Sequence, residues 1–193
     1  MKPATFSVLA ALIVAAPAAL CAPAFAAETI SVAPFKAIEL HGGGHAILRH
    51  GDTQRVTLIK GDRKVARIEV DGDGTLNLSP CSGMCWGNYA LEVEVVTPAI
   101  AAVSVHGGGD LEAAGTFPRQ PSLSVSVHGG GEADLRAIPA EAVSANVHGG
   151  GEAEVRAGKS LKASVHGGGT LRYWGHPSVQ SDIHGGGSIS SGG

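Results

Sequence analysis

The chain has 193 residues, 44% of them hydrophobic but only 4% aromatic, with 29 Gly, 9 His, 3 Cys and a net charge of −3 at pH 7. So high an apolar fraction excludes a disordered chain, and the shortage of rings implies a core of small side chains. Near-neutral charge with no Lys/Arg-rich run excludes a nucleic-acid partner, since phosphate recognition needs positive charge concentrated on one face.

In chain order, residues 1–26 have the form of a secretory signal. Lys2 supplies the positive start, Phe6 to Leu20 the apolar stretch, and Ala24-Phe25-Ala26 the small-x-small cleavage site. Pro17 and Pro23 leave the apolar run short of the roughly 20 residues that span a bilayer, and no later segment is apolar enough, so no transmembrane helix is expected in the mature chain. Cys21 follows Ala18-Ala19-Leu20, and the bulky Leu before it argues against lipid attachment. Residues 27–193 are then one domain, secreted across the inner membrane to the periplasm or cell surface.

Residues 28–100 form an irregular, hairpin-rich part. Strand-like runs cover Phe35 to Leu40, His45 to Arg49, Arg55 to Lys60, Ile68 to Val70, Thr75 to Leu78 and Tyr89 to Val96. Asp71-Gly-Asp-Gly74 is a hairpin turn signal, and Arg63 to Arg67 fits one helical turn. Cys81 and Cys85 lie between two such runs, and in an oxidising compartment a local disulfide is the first reading. A zinc site is the rival, although structural zinc takes four ligands and no second pair matches.

From residue 101 to 190 a repeat dominates. His-Gly-Gly-Gly occurs six times, beginning at His41, His106, His128, His148, His166 and His184, and the last five are 22, 20, 18 and 18 residues apart. These motifs hold 18 of the 29 Gly, so the glycine excess is the motif. An alternating run precedes the corner each time, as in Leu123-Ser-Val-Ser-Val127 and Leu161-Lys-Ala-Ser-Val165, and alternation resumes after it. Period two buries one face of a strand. A unit of strand, glycine corner and strand cannot bury that face alone, whereas copies stacked about 4.8 Å apart can. The expected fold is therefore all-β, a single-stranded β-helix or solenoid, with the N-terminal β-hairpins continuous with it and covering its first rung. Tyr173 and Trp174 are placed to close the other end.

Several further segments carry a family likeness: Phe35 to Ile38 as a Phe-x-x-Ile strand, Asp73-Gly-Thr-Leu76, Val95-Val-Thr-Pro98, the corners such as His106-Gly-Gly-Gly-Asp110, and Tyr173-Trp-Gly-His-Pro-Ser-Val179. In these the chain resembles the "putative auto-transporter adhesin head GIN domain" family over roughly Phe35 to Ser190. The resemblance implies an exported, right-handed β-helical domain with no established catalytic residues. His and Gly stand where the family's corners carry two serines.

If Val105, Val127, Val147 and Val165 point inward, then His106, His128, His148 and His166 point outward, and His184 after Ile183 joins them. Asp110, Glu132 and Glu152 face out downstream, as do Glu112, Asp134 and Glu154. One reading is transition-metal binding, with Zn, Cu or Ni held by His106, His128, His148, His166 and His184 and helped by Asp110, Glu132 and Glu152. The other is a surface ladder of stacked rings kept by duplication of one repeat, in which case no cofactor is required. Replacing His128, His148 and His166 by Ser should abolish the first activity and leave an adhesin intact. His41, His45, His50 and His176 read as ordinary surface or turn residues. Six HGGG copies in a β repeat do not make an esterase oxyanion loop, and repeats of 18 to 22 residues do not match the short period of calcium-binding repeats. The expected function is a non-enzymatic envelope module, adhesin-like, whose partner is a cell-envelope or surface component. Metal binding is the alternative.

Overall fold

The computed structural model describes residues 27–83 and 90–193. The expected secretory segment lies outside the described residues, and so does Cys85, with the bridge expected between Cys81 and Cys85.

Wherever the sequence alternates, it forms strand. Before the repeats come β1 (Glu28–Ile30), β2 (Ala37–Gly42), β3 (His45–His50), β4 (Arg55–Lys60), β5 (Arg67–Val70), β6 (Thr75–Ser79) and β7 (Glu92–Thr97). The repeats supply β8 (Ala102–Gly107), β9 (Asp110–Ala114), β10 (Gln120–Gly129), β11 (Glu132–Gly149), β12 (Glu152–Gly167), β13 (Thr170–Trp174), β14 (Ser178–His184) and β15 (Ser188–Ser191). The segment after Asp62 makes a single turn of helical type, with Ala66 N–H donating to the Asp62 carbonyl four residues back, and it ends where β5 begins at Arg67. The hairpin at Asp71 to Gly74 is present, with Gly74 at a φ of +83° and β5 antiparallel to β6.

Two parallel walls flank the glycine corners. On the wall before the corner, β6, β2, β8, β10, β11, β12 and β14 are neighbours, and the pairing aligns repeat with repeat: Val105, Val127, Val147 and Val165 share one row. On the wall after it, β7, β3, β9, β11, β12, β13 and β15 follow one another, with Ala46, Leu111, Ala133, Ala153 and Leu171 in one row. These residues are all essentially inaccessible and form a single core. The core is built mostly of small side chains because each rung contributes its residues directly beneath those of the next, and the rings of Phe35 and Phe117 are buried with them.

The single-stranded right-handed β-helix is not what forms. All the strands belong to one 15-stranded mixed sheet, nearly closed on itself like a barrel. β1, β4 and β7 pair antiparallel, as do β5 and β6. The long β11 and β12 each run through both walls, and β11 shifts register between Leu135 and Pro139 as it passes from one to the other. The repeat period fixes which residues face inward and how copies align. It does not dictate how segments outside the repeat satisfy their backbone groups, and the short connections around β4 and β5 return those strands antiparallel. Residues 28–100 are also not simply hairpins, because β2 and β3, joined by the first HGGG corner, are ordinary parallel members of the two walls. Trp174 lies on the outer face against Gly192, with the Arg136 guanidinium 5.0 Å from its ring centre, rather than across the end of the core.

The corners are bonded rung to rung. Gly150 N–H donates to the Gly129 carbonyl at 2.9 Å, and Glu152 N–H to the Gly131 carbonyl at 3.0 Å. The same pair of bonds joins the corners at Gly107 and Gly149 to their successors.

Candidate functional site

Alternation aims each corner histidine outward, and the register of the first wall stacks them. Ring centres are 5.1 Å apart from His41 to His106, then 4.8, 5.0, 4.8 and 4.9 Å through His128, His148, His166 and His184, with planes within 14° of parallel throughout. The stack thus has six members. His41 is its first ring and not an ordinary turn residue. Its own HGGG motif was the available signal, but 65 residues separate it from the next copy, which hides it from a test of regular spacing.

The row beside the rings differs along its length. Glu39 Oε1 lies 2.7 Å from His106 Nε2 and 3.5 Å from His41 Nε2, and Asp182 Oδ1 lies 3.4 Å from His184 Nδ1. Between these ends the rings meet neutral groups: Ser126 Oγ is 3.3 Å from His128 Nδ1 and Ser164 Oγ 3.2 Å from His166 Nδ1.

Parallel stacking bears directly on metal binding. An imidazole lone pair lies in the ring plane, so stacked rings send their lone pairs side by side, and one ring would have to leave the stack before two could share an ion. Among the described residues a grouping forms only at the last rungs, where His166, Asp182 and His184 place ligand atoms within 4.8 Å of one another. Among the described residues, no ion pair joins Asp110, Glu132 or Glu152 to a stacked ring.

Those acids form their own row on the second wall, where β3, β9, β11 and β12 align His45, Asp110, Glu132 and Glu152. Beside it, Glu112, Asp134 and Glu154 align and lead to Arg172. His45, Asp110, Glu112, Glu132 and Asp134 line a shallow acidic cleft of about 440 Å³, with His45 Nε2 3.9 Å from Glu112 Oε2. Glu154 does not face solvent as expected. It is buried beneath Arg136, 2.8 Å away, and Arg172, 3.0 Å away, while Arg172 also reaches Glu152 and Arg136 binds Asp134. The two arginines were the missed members. Arg136 follows Asp134 by two residues, and two residues along a strand return a side chain to the same face.

Charge state follows position along the row. Burial, then the carboxylates of Glu152, Asp110, Glu154 and Asp134, raise the Glu132 carboxyl above its usual range. Burial also pushes on Asp134, but the side-chain and backbone N–H bonds from Arg136 outweigh it and hold that carboxyl low. Glu132 is therefore repelled by its neighbours while Asp134 is neutralised. Glu132→Gln should raise thermal stability at pH 7 by up to about 0.5 kcal/mol, the scale of an exposed substitution, whereas Asp134→Asn should lower it. Paired thermal melts check both signs.

On the first wall a second shallow groove, about 490 Å³, crosses the rungs along Ser122, Ser124, Ser144, Ser160, Lys162 and Ser178. No helix among the described residues is long and apolar enough to cross a membrane.

Walls of in-register rungs with their polar chemistry in outward rows define an all-β repeat domain that presents a surface. The match to known families agrees, and the chain belongs to the family described as "Putative auto-transporter adhesin, head GIN domain", whose model matches residues 34–121 and 107–177. Among solved structures it is similar to a "putative adhesin" from Bacteroides fragilis, at 17% identity over 86% of this chain and 95% of that one, with a TM-score of 0.53. A "putative adhesin" from Parabacteroides merdae matches at 15% identity over 86% and 95% of the two chains, TM-score 0.42. A "putative cell adhesion protein" from Clostridium sporogenes matches at 12% over 86% and 98%, TM-score 0.39. The Bacteroides likeness bears on the fold alone. Among curated proteins none matches the chain significantly.

Proposed function

We propose that the chain is an exported, non-enzymatic, adhesin-like module of the bacterial envelope that meets a cell-envelope or surface component through the acidic face of its second wall. The observation that carries this reading is the row Asp110, Glu132 and Glu152, in which carboxylates stand on adjacent rungs and, after burial, add to the rise of the Glu132 carboxyl. Repulsion retained in a rigid wall favours a cationic partner, whose approach relieves it. The corner amides support a non-catalytic role: Gly130, Gly150 and Gly168 N–H are each bonded to the preceding corner, so they are not held ready for an oxyanion.

The test is fractionation of a Gram-negative bacterium producing the full chain, then binding of the purified chain to envelope fragments at about 0.05 and 0.5 M salt. The chain is expected in the envelope or on the surface. Binding should fall about tenfold in high salt and with Asp110→Asn, Glu132→Gln and Glu152→Gln combined, and should survive Ser at His128, His148 and His166. Recovery in the cytoplasm, or binding indifferent to the acidic row, overturns the reading.

A second reading rests on the grouping of His166, Asp182 and His184. Titration of chelator-stripped protein with Zn²⁺, Cu²⁺ and Ni²⁺, beside a variant with Ser at His166 and His184, decides it. Micromolar binding lost in the variant makes these residues a site, and no binding removes it.

A further inference from the structure

Of the sheet's free edges, two are short and charged: β1 spans 3 residues, and β5 spans 4 with Arg67 and Glu69 outward. Short, charged edges resist pairing with another chain. β14 is different. It spans 7 residues, pairs among the described residues with β12 alone, and is exposed along its whole length. It also continues the inner rows, with Val179 following Leu161 and Ile183 following Val165. Leu161 and Val165 are 1% and 0% exposed, whereas Val179 and Ile183 are 38% and 44% exposed and are the large exposed hydrophobics of the described chain. Among the described residues the core is thus open at this end.

The sequence of this edge is matched to itself. With two copies antiparallel about Ser181, Val179 lies opposite the second copy's Ile183, Gln180 opposite Asp182, and Ser178 opposite His184. On the inner face, where both cores are open, Val179 and Ile183 meet on either side of a central Ser181 pair, and outside the carboxylate meets an amide donor. Sliding by one residue on each strand, which keeps inner facing inner, fails in both directions. One slide opposes Asp182 to Asp182, and the other sets Ile183 opposite Pro177, which has no N–H for a ladder.

From this self-complementarity we infer that β14 is a dimer interface, in which two copies of the chain join edge to edge about a two-fold axis at Ser181 and close each other's cores. A two-fold axis normal to the sheet keeps each inner face on the same side, so the two walls continue across the junction. Ile189, which follows Leu171 in the inner row of the second wall and is only half-buried, lies at the same open end.

Sedimentation of the full chain between about 1 and 100 μM, with three variants, tests this. The wild type is expected to be a dimer at the upper end. Ile183→Lys, at a position already exposed, should weaken association at least about tenfold with the thermal midpoint of the dissociated chain unchanged. Ser181→Cys lies opposite itself and should cross-link copies on oxidation, while Ser178→Cys, opposite His184, should not. A monomer throughout overturns the proposal. So does a dimer indifferent to Ile183→Lys, equal cross-linking by both cysteines, or a mass that keeps growing with concentration, which would mean open-ended stacking.

Discussion

Replacing Gly149 or Gly151 by Ala should destabilise the chain by about 3 kcal/mol or more, while the same change at Gly150, between them, should cost no more than about 0.5 kcal/mol. The three glycines of one corner do different work. Gly149 adopts a φ of +117°, and a Cβ there would stand 2.6 Å from the Gly129 carbonyl oxygen. Gly151 is limited by space alone, because its Cβ would lie 2.5 Å from the Gly131 carbonyl oxygen and 2.7 Å from a Val127 methyl. Those carbonyls accept the bonds that hold one corner to the next, so relief of the clash would break them. A Cβ on Gly150 meets nothing within 4 Å. Thermal or denaturant unfolding of the three single variants gives the comparison. An equal loss at Gly150 would show that the motif needs glycine for some reason other than close approach of the rungs.

The second large effect is expected on acidification. Histidine is the residue type that gains charge as the pH falls toward 5, and here its rings are held 4.8 to 5.1 Å apart. Two unit charges at that separation repel by about 0.8 kcal/mol even at the dielectric constant of water, so five contacts approach about 4 kcal/mol if every ring is charged. Unfolding separates the rings, so the cost falls on the folded state and stability is lost as the pH falls. Glu39 and Asp182 offset charge only at the ends, while His128 and His166 face Ser126 and Ser164. Neither Glu132 nor Asp134 produces this loss. Glu132, whose carboxyl is raised, binds its proton more tightly when folded and so adds stability as the pH falls. Asp134, whose carboxyl is lowered, contributes stability above the usual aspartate range near 3.9 and loses it only below. The melting midpoint is therefore expected to fall by about 5 to 10 °C between pH 7.5 and 5 at low salt, and by less in the variant with Ser at His128, His148 and His166. A midpoint unchanged by pH, or a fall of equal size in that variant, would contradict the assignment of the effect to the stack.

Much of the inner and outer patterning is legible in the amino-acid sequence. Alternation in Leu123 to Val127 and its copies determined the inward rows, and because a strand's two faces alternate strictly, it determined the outward histidines with them. The fixed tetrapeptide determined that corners repeat, and low aromatic content determined that the core is built mostly from Val, Ala, Leu and Ile, with Phe35 and Phe117 beside them. These are local properties, set by one residue and the next. What depended on contacts between distant segments was decided only by the tertiary structure. The antiparallel returns of β4 and β5, the mixed and nearly closed sheet, the place of His41 at the head of the stack and the burial of Glu154 beneath Arg136 and Arg172 all belong to that class. Period two says that a strand has a buried face but not which neighbour supplies its hydrogen bonds, and an outward carboxylate is exposed only until a cation from another rung lies over it. The open edge at β14 shows both levels together: the sequence made Val179 and Ile183 inward residues, and the arrangement of the strands left nothing on the described chain to cover them.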